Sequence, residues 1–248
     1  MITLKSREEV EVMRRANRIA AEAMARIGET IGDGATTGDL ERVATELLLS
    51  RGAKPAFPTV QGYHHTLCVS VNEEIVHGIP GKRRLNRGDI VSVDCGVLFD
   101  GFFGDHAWSF PMGKVDEESQ RLLLAGKESL LCGIEKARVG FRLGDIGAAV
   151  EERAAQSGFS VVRDYVGHGI GRALHEDPQV PNFGEAGTGM KLRRGLVLAL
   201  EPMLNAGTHE AEVLSDGWTV VTKDRKRSVH FEHSVAIMDE GPEILSVL

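Results

Sequence analysis

Four carboxylates and one imidazole stand where short apolar runs or tight glycine-rich turns end. Asp94 closes the run Ile90-Val-Ser-Val93, and Glu201 closes Leu196–Leu200. Glu232 lies in Val229-His-Phe-Glu-His-Ser-Val235, and His168 lies in Val166-Gly-His-Gly-Ile-Gly171, where small residues allow a backbone or ligand to come close. A carboxylate at the end of an apolar strand is costly unless it is paired or ligates a metal. Asp100-Gly101 is a strong two-residue hairpin turn. Closing it regularly sets position 96 against 105 and 94 against 107, so Asp94 and Asp105 become diagonal neighbours on one face, within reach of a shared ion. Taken alone, that pair reads equally well as one strand-end and one loop carboxylate. Glu201, Glu232 and His168 tip the reading toward a metal site. Oxygen donors with one nitrogen suit Mn, Fe, Co or Zn. Five donors, two of them able to bridge, would hold two ions roughly 3.5–4 Å apart, as in two-metal hydrolases.

Helices and strands must carry these groups. Ser6-Arg-Glu-Glu9 is a capping box, and Val10, Met13, Ile19, Met24 and Ile27 follow at helical spacing. A second helix is expected from Thr37, burying Leu40, Val43, Leu47 and Leu48 and ending before Gly52. Short strands follow, with Val69, Val71, Ile90, Val91 and Val93 as β-formers. A third helix is expected from Asp116 to about Ala137 with Leu122, Leu123, Leu130, Leu131 and Ile134, and a fourth from Asp145 to Gln156, closed by Gly158. Strands are expected at Phe159–Tyr165, Gly195–Leu200, Glu212–Val221 and His230–Met238.

The plan repeats. Gly38-Asp39-Leu40 and Gly144-Asp145-Ile146 lie 106 residues apart, as do Gly52 and Gly158. Leu85–Asp94 and Leu192–Glu201 lie 107 apart, and His77-Gly-Ile and His168-Gly-Ile 91 apart. Each half reads as helix, helix, His-Gly-Ile turn, then a strand ending in a carboxylate. The expectation is one α+β domain over 1–248, with internal duplication into halves of about 1–110 and 111–248 and a site between them.

Composition excludes several classes. The hydrophobic share of 42% and charged share of 26% are too balanced for a disordered chain, and 248 residues can bury a sizeable core without staples. The net charge of −7 argues against a basic nucleic-acid face. No apolar run approaches the roughly 20 residues of a membrane helix. The start, Met1 to Glu11, is charged almost at once and reads as no secretory signal. Three cysteines, Cys68, Cys95 and Cys132, suit a reducing compartment, so a cytoplasmic location is expected.

The ordered set Cys68-Val-Ser-Val-Asn72, Val76-His-Gly-Ile-Pro80, Asp89–Asp94, Asp100-Gly-Phe-Phe-Gly-Asp105, Tyr165–Gly171, His175-Glu-Asp-Pro178, Glu201-Pro202, Asp216-Gly-Trp218 and Phe231-Glu-His-Ser234 resembles the type I methionine aminopeptidases. The resemblance runs through nearly the whole chain. It lacks the large late insertion of the type II branch and the extra N-terminal domain of proline-directed relatives. It implies the pita-bread fold: two pseudo-symmetric halves around a curved antiparallel sheet, with helices outside. It implies a dinuclear metallo-exopeptidase that removes the initiator methionine from nascent peptides when the second residue is small, by attack of a metal-bound water or hydroxide. Two divalent ions (Co, Mn, Fe or Zn) are implied per chain. By position, Asp94, Asp105, His168, Glu201 and Glu232 match the family's ligands, Asp105 and Glu232 bridging, His168 and Glu201 completing one site and Asp94 the other. His77 and His175 match the histidines that touch the substrate near the scissile amide, and Glu201 the proton shuttle. Cys68, Tyr63, Trp218 and Leu174 fall where the family lines its methionine pocket.

Three departures stand out. Leu174 and Val60 occupy positions that are often aromatic, and His106 and Trp108 follow Asp105 where smaller polar residues are usual. The remaining histidines, His64, His65, His209, His230 and His233, read as surface or strand polar residues. The run Lys223-Asp-Arg-Lys-Arg227 reads as a solvated loop, with a transient ribosomal RNA contact as the weaker alternative. A monomer is expected, with no membrane or specific nucleic-acid partner. A non-catalytic binding protein of the same fold and a proline-directed exopeptidase are the rival functions.

Overall fold

The computed structural model describes residues 2–248. Four helices, α1 (Arg7–Thr30), α2 (Thr37–Ser50), α3 (Glu117–Lys136) and α4 (Leu143–Gln156), form two packed pairs, α1 with α2 and α3 with α4. At the start of α1 the Glu9 N–H donates to Ser6 Oγ at 3.2 Å and the Ser6 N–H donates to the Glu9 carboxylate at 3.0 Å, the expected reciprocal box. Val10, Met13, Ile19, Met24 and Ile27 are all buried. Thr36 and Asp39 build the same box for α2.

Two helices turn slightly different faces inward than the apolar pattern suggests. In α2 the inner stripe is Leu40, Ala44 and Leu48; Val43 and Leu47 flank it, half-buried. In α3 Leu122, Leu130 and Ile134 are buried, whereas Leu123 is half-buried and Leu131 exposed. Adjacent leucines are about 100° apart around a helix, so both cannot face one core. Gly126 and Gly133 take the contact side instead, where a Cβ would press on Phe231 and on Val150.

Every strand pairing is antiparallel. Ile90–Cys95 runs between Leu67–Val71 and Ala107–Pro111, with Asp94 opposite Cys68 on one side and Ala107 on the other. The hairpin Val97–Phe99 with Phe102–Gly104 turns at Asp100 and Gly101, whose φ values of 49° and 77° give the left-handed turn that matches strand twist. The pairs Val97–Gly104 and Asp94–Ala107 keep one register, the one the turn implied. In the second half, Val197–Leu200 runs between Gly167–Gly169 and His233–Met238.

Four expected strands are shorter or broken, the least affected being Gly195–Leu200, which is a strand over Val197–Leu200. Phe159–Tyr165 contributes only Ser160–Val161. Glu212–Val221 is a hairpin, Ala211–Val213 with Val220–Thr222, rather than one strand. His230–Met238 is interrupted at Phe231 and Glu232: Ser228–His230 pairs with Met203–Asn205, and His233–Met238 pairs with Val197–Leu200. The chain changes sheets there, with the Phe231 N–H donating to the Pro202 carbonyl at 3.2 Å and the Glu232 N–H to the Ala107 carbonyl at 2.9 Å.

Separate apolar clusters sit under the two helix pairs, and a third, including Val10, Met13, Tyr63, Cys68, Ile170 and Val197, joins the halves. All three cysteines are free, and among the described residues no helix is long and apolar enough to cross a membrane. Gly104 lets α1 approach the hairpin: a Cβ there would lie 2.8 Å from the backbone nitrogen of Asn17. Gly104→Ala should lower stability by roughly 1–3 kcal/mol in urea unfolding. Gly32→Ala, where the nearest atom is 3.9 Å away, should stay within about 0.5 kcal/mol.

Candidate active site and metal centre

The five expected donors come from separate segments, Asp94 and His168 on strands and Asp105, Glu201 and Glu232 just past strand ends, and converge on one cavity of about 590 Å³. Asp94 ends its strand facing that cavity, and Asp105 follows the hairpin. The Asp105 backbone is held on two sides: its N–H donates to Asn17 Oδ1 at 3.1 Å, and its carbonyl accepts from Ser234 Oγ at 3.0 Å. Glu232 projects from the strand interruption. His168 sits between Gly167 and Gly169, where added Cβ atoms would collide with the carbonyls of Ala199 and Asp177. Its Nδ1 lies 2.8 Å from the Gly169 carbonyl, which can only accept, so Nδ1 carries the hydrogen and Nε2 keeps its lone pair for the cavity. Glu201 Oε1 is 3.5 Å from that Nε2, and the Glu201 carbonyl accepts from Asn182 Nδ2 at 3.1 Å.

This arrangement fits a divalent cation. Asp94 Oδ1 and Glu232 Oε1 are buried without a hydrogen-bond partner. One donor atom each from Asp105, His168 and Glu232 lie within 4.8 Å of one another. Burial, reinforced by the neighbouring carboxylates, pushes Asp94 and Glu232 well above the ordinary range, and burial holds Asp105 and Glu201 near about 7. The cluster therefore retains protons that a cation would displace.

His77 and His175 line the same cavity. The His77 backbone is left-handed, with φ of 60°, an uncommon conformation outside glycine. Its ring stands edge-on to Tyr165 at 5.6 Å. The His175 ring stands edge-on to His168 at 4.5 Å. The turn before His175 is tied down by Glu176: Oε1 accepts from the Arg172 N–H at 2.8 Å, and Oε2 meets the buried Lys5 Nζ at 2.5 Å. Burial lowers both imidazole pKa values, His77 to about 4, so both are neutral near pH 7.

Beyond the charged end, Phe57, Val60, Tyr63, Cys68 and Trp218 give the cavity an apolar lobe. Tyr63 packs edge-on against Trp218 with ring centroids 5.0 Å apart, and its hydroxyl donates to the Leu67 carbonyl at 2.8 Å. Leu174 is not on the cavity wall; it is buried in the apolar cluster that also contains Tyr63 and Cys68. His106 and Trp108 point away from the cavity. His106 Nδ1 donates to the Glu232 carbonyl at 2.7 Å and its ring stacks on His233 at 4.9 Å, while Trp108 packs edge-on against Phe231. His230, expected as a surface or strand polar residue, does end the strand Ser228–His230, but it is 2% exposed and lines the cavity. No local signal marks this in the sequence, because the chain changes sheets between His230 and His233.

The sequence pattern of metallopeptidase family M24 matches residues 11–239, and the chain belongs to that family. It is 48% identical over 248 residues to the methionine aminopeptidase of Clostridium perfringens, with 100% of both chains covered. It superposes on the crystal structure of methionine aminopeptidase from Thermotoga maritima with a TM-score of 0.98, at 44% identity and with 100% of each chain covered. Within M24, the chain belongs to the methionine aminopeptidases. It shares the pita-bread fold with the prolidase of Pyrococcus furiosus, at a TM-score of 0.80 and 23% identity over 99% of this chain and 65% of that one. The protein is a metal-dependent hydrolase.

The charge cluster makes the metal-free fold sensitive to pH. Asp105 and Glu201 hold protons up to about 7, whereas the unfolded carboxyls lose them near 4, so stability falls as pH rises through that window. The buried imidazoles work in the opposite sense: His106 at about 4 and His230 and His233 at about 3 stay neutral while their unfolded forms are protonated below 6.5, so stability rises with pH up to that value. Above 6.5 the carboxylates act alone. Metal-stripped protein should lose thermal stability between pH 6.5 and about 8, and excess Mn(II) should abolish the loss. A melting temperature that is flat or rising across that interval without metal would contradict this account.

Proposed function

We propose that the protein removes N-terminal methionine from nascent peptides whose second residue is small, as a dinuclear exopeptidase of the cytoplasm acting as a monomer. One observation carries the reading: a single cavity joins the carboxylate and imidazole cluster to an apolar lobe. Asp94, Asp105, His168, Glu201 and Glu232 would hold the ions. Divalent ions so held supply electrophilic polarisation and bring the acidity of water toward neutral pH. Mn, Fe, Co and Zn all suit the donor set.

The chain's own groups do the rest. The methionine side chain enters the lobe of Phe57, Tyr63, Cys68 and Trp218, a soft, sulfur-tolerant surface. Leu174 backs that lobe from the cluster behind it. His175, kept neutral, donates an N–H to the carbonyl oxygen of the first peptide bond as charge builds there. His77, which lines the same cavity, orients the leaving amide. Glu201 takes a proton from the attacking water and returns it to the leaving amine, the shuttle a carboxylate beside the reacting atoms can provide. The preference for a small second residue follows from the family resemblance.

The same reading treats residues 1–248 as one catalytic domain with duplicated halves of about 1–110 and 111–248. Local geometry supports it: the isolated bridges Thr36–Arg84 and Arg142–Lys191 recur at the sequence offset, as do the Asp39 and Asp145 boxes. A ribosomal RNA contact through 223–227 would be weak. Lys223 is paired with Glu210 at 3.0 Å, Arg225 with Glu212, and Arg227 with Asp116 at 2.7 Å.

The test is hydrolysis of Met-Ala-Ser, Met-Leu-Ser and Ala-Pro peptides by metal-stripped protein resupplied with Mn, Fe, Co or Zn. Metal-dependent methionine release from Met-Ala-Ser alone is expected. Cleavage of the Ala-Pro peptide would shift the reading to a proline-directed enzyme, and no cleavage with any metal to a binding protein. His175→Ala should lower turnover by roughly 100-fold, the scale of losing one oxyanion donor, with metal content unchanged. Loss of metal would overturn the role given to His175.

A further inference from the structure

His230 is the one histidine on the cavity wall without a role in the account above. It ends the strand Ser228–His230, two residues before Glu232, and both side chains reach the same cavity. Its Nε2 is fully buried and has no hydrogen-bond partner. An unpaired buried nitrogen costs about 1–3 kcal/mol, so the site must offer that atom something else.

The position of the atom says what. His168 Nε2 lies 3.5 Å from Glu201 Oε1, and His230 Nε2 lies 3.5 Å from Glu201 Oε2. The two imidazoles flank one carboxylate, each against its own oxygen. That separation exceeds the 2.7–3.2 Å range of an N–H···O hydrogen bond. It matches the edge of a tetrahedral coordination shell, about 3.4 Å for bonds near 2.1 Å.

The backbone around His230 is fixed. Ser109 Oγ accepts from the His230 N–H at 2.9 Å and donates to its carbonyl at 2.9 Å. The hydroxyl of Ser109 is thereby used, so Ser92, 2.7 Å away, donates to it. A buried ladder of two serines thus holds the strand end that carries the ring, which is the support a coordinating side chain needs.

We propose that His230 is a further metal donor, set against one oxygen of Glu201 as His168 is set against the other. The proposal rests on the metallopeptidase reading of the cavity. A site with two imidazole donors favours Co(II), Fe(II) or Zn(II) over Mn(II) more strongly than a site with one does.

The experiment uses metal-stripped full-length protein as wild type, His230→Gln and His168→Ala. Each is titrated with Co(II) and with Mn(II) by competition against a chromogenic chelator. Proton spectra of the ¹⁵N-histidine-labelled, Co(II)-loaded proteins then count the strongly shifted exchangeable imidazole N–H signals. His230→Gln is expected to weaken Co(II) binding by at least about tenfold and Mn(II) binding by much less. The wild type is expected to show two shifted ring N–H signals, and His230→Gln one. The wild-type spectrum stands by itself should the variant fail to fold. One shifted signal in the wild type overturns the proposal. So does unchanged Co(II) affinity in His230→Gln, even with reduced turnover, which would make His230 a hydrogen-bond donor to Glu201. A wild type that binds neither ion would instead overturn the metal reading of the cavity, a distinct result.

Discussion

Asp94, Asp105, Glu201 and Glu232 share one desolvated cavity, and their mutual repulsion is the constraint from which the rest of the structure follows. Four like charges cannot all ionise at such distances in a medium less polar than water. Without a cation the cluster keeps protons, and two of its oxygens, Asp94 Oδ1 and Glu232 Oε1, have no partner. Such an arrangement persists only where the surrounding structure over-determines it. Here Asn17 of α1 and Ser234 of a strand from the other half both grip the Asp105 backbone, and the Ala107 carbonyl grips that of Glu232. The site is therefore stressed electrostatically and rigid mechanically, which is the state a tightly held divalent ion relieves.

The imidazoles complement this charge by being neutral. His77, His168, His175 and His230 are held below their ordinary range by burial, so each offers one N–H and one lone pair. In His168 the Gly169 carbonyl chooses which nitrogen does which. His106 and His233 use the same property on the far side of Glu232, where they stack on each other and bond to the Glu232 carbonyl and to Ser246. They occupy the layer that supports the ligand rather than the cavity.

Much of the plan was legible in the sequence because it rests on local rules. The Ser6–Glu9 box, the Asp100-Gly101 turn and the strand-end position of Asp94 each follow from a few neighbouring residues, and the structure keeps all three. What was hidden depends on contacts between segments distant in the chain. Leu131 is exposed because α4 and the sheet select the other side of α3. The break at Phe231 and Glu232 follows from carbonyls offered by Pro202 and Ala107. His230 lay in a stretch that reads as one continuous strand, where an imidazole looks incidental. Only the sheet change at that break fixes the ring against Glu201, more than two dozen residues earlier in the chain. Lys5 likewise gains its importance from Glu176, which composition near the chain start does not suggest.

Fold alone does not select the substrate, since a prolidase shares this architecture. The cavity's apolar lobe is tied to its charged end by a single strand register. Cys68 on the lobe wall is the direct cross-strand partner of Asp94. Opposed residues in an antiparallel ladder point to the same face with Cβ atoms about 5 Å apart. The side-chain lobe and the charged end are therefore one residue pair away from each other. A one-residue slip between Leu67–Val71 and Ile90–Cys95 would turn Cys68 out of the lobe relative to Asp94 and part the two functions at once. The Glu41 carboxylate, which accepts the N–H groups of Thr66 and Leu67 at 2.8 and 2.9 Å, and the reciprocal bonds between Asn72 and Ile90 at 3.0 Å, pin the two ends of Leu67–Val71 and oppose that slip. The apolar lobe and the charged end of the cavity are thus set by the same few backbone hydrogen bonds.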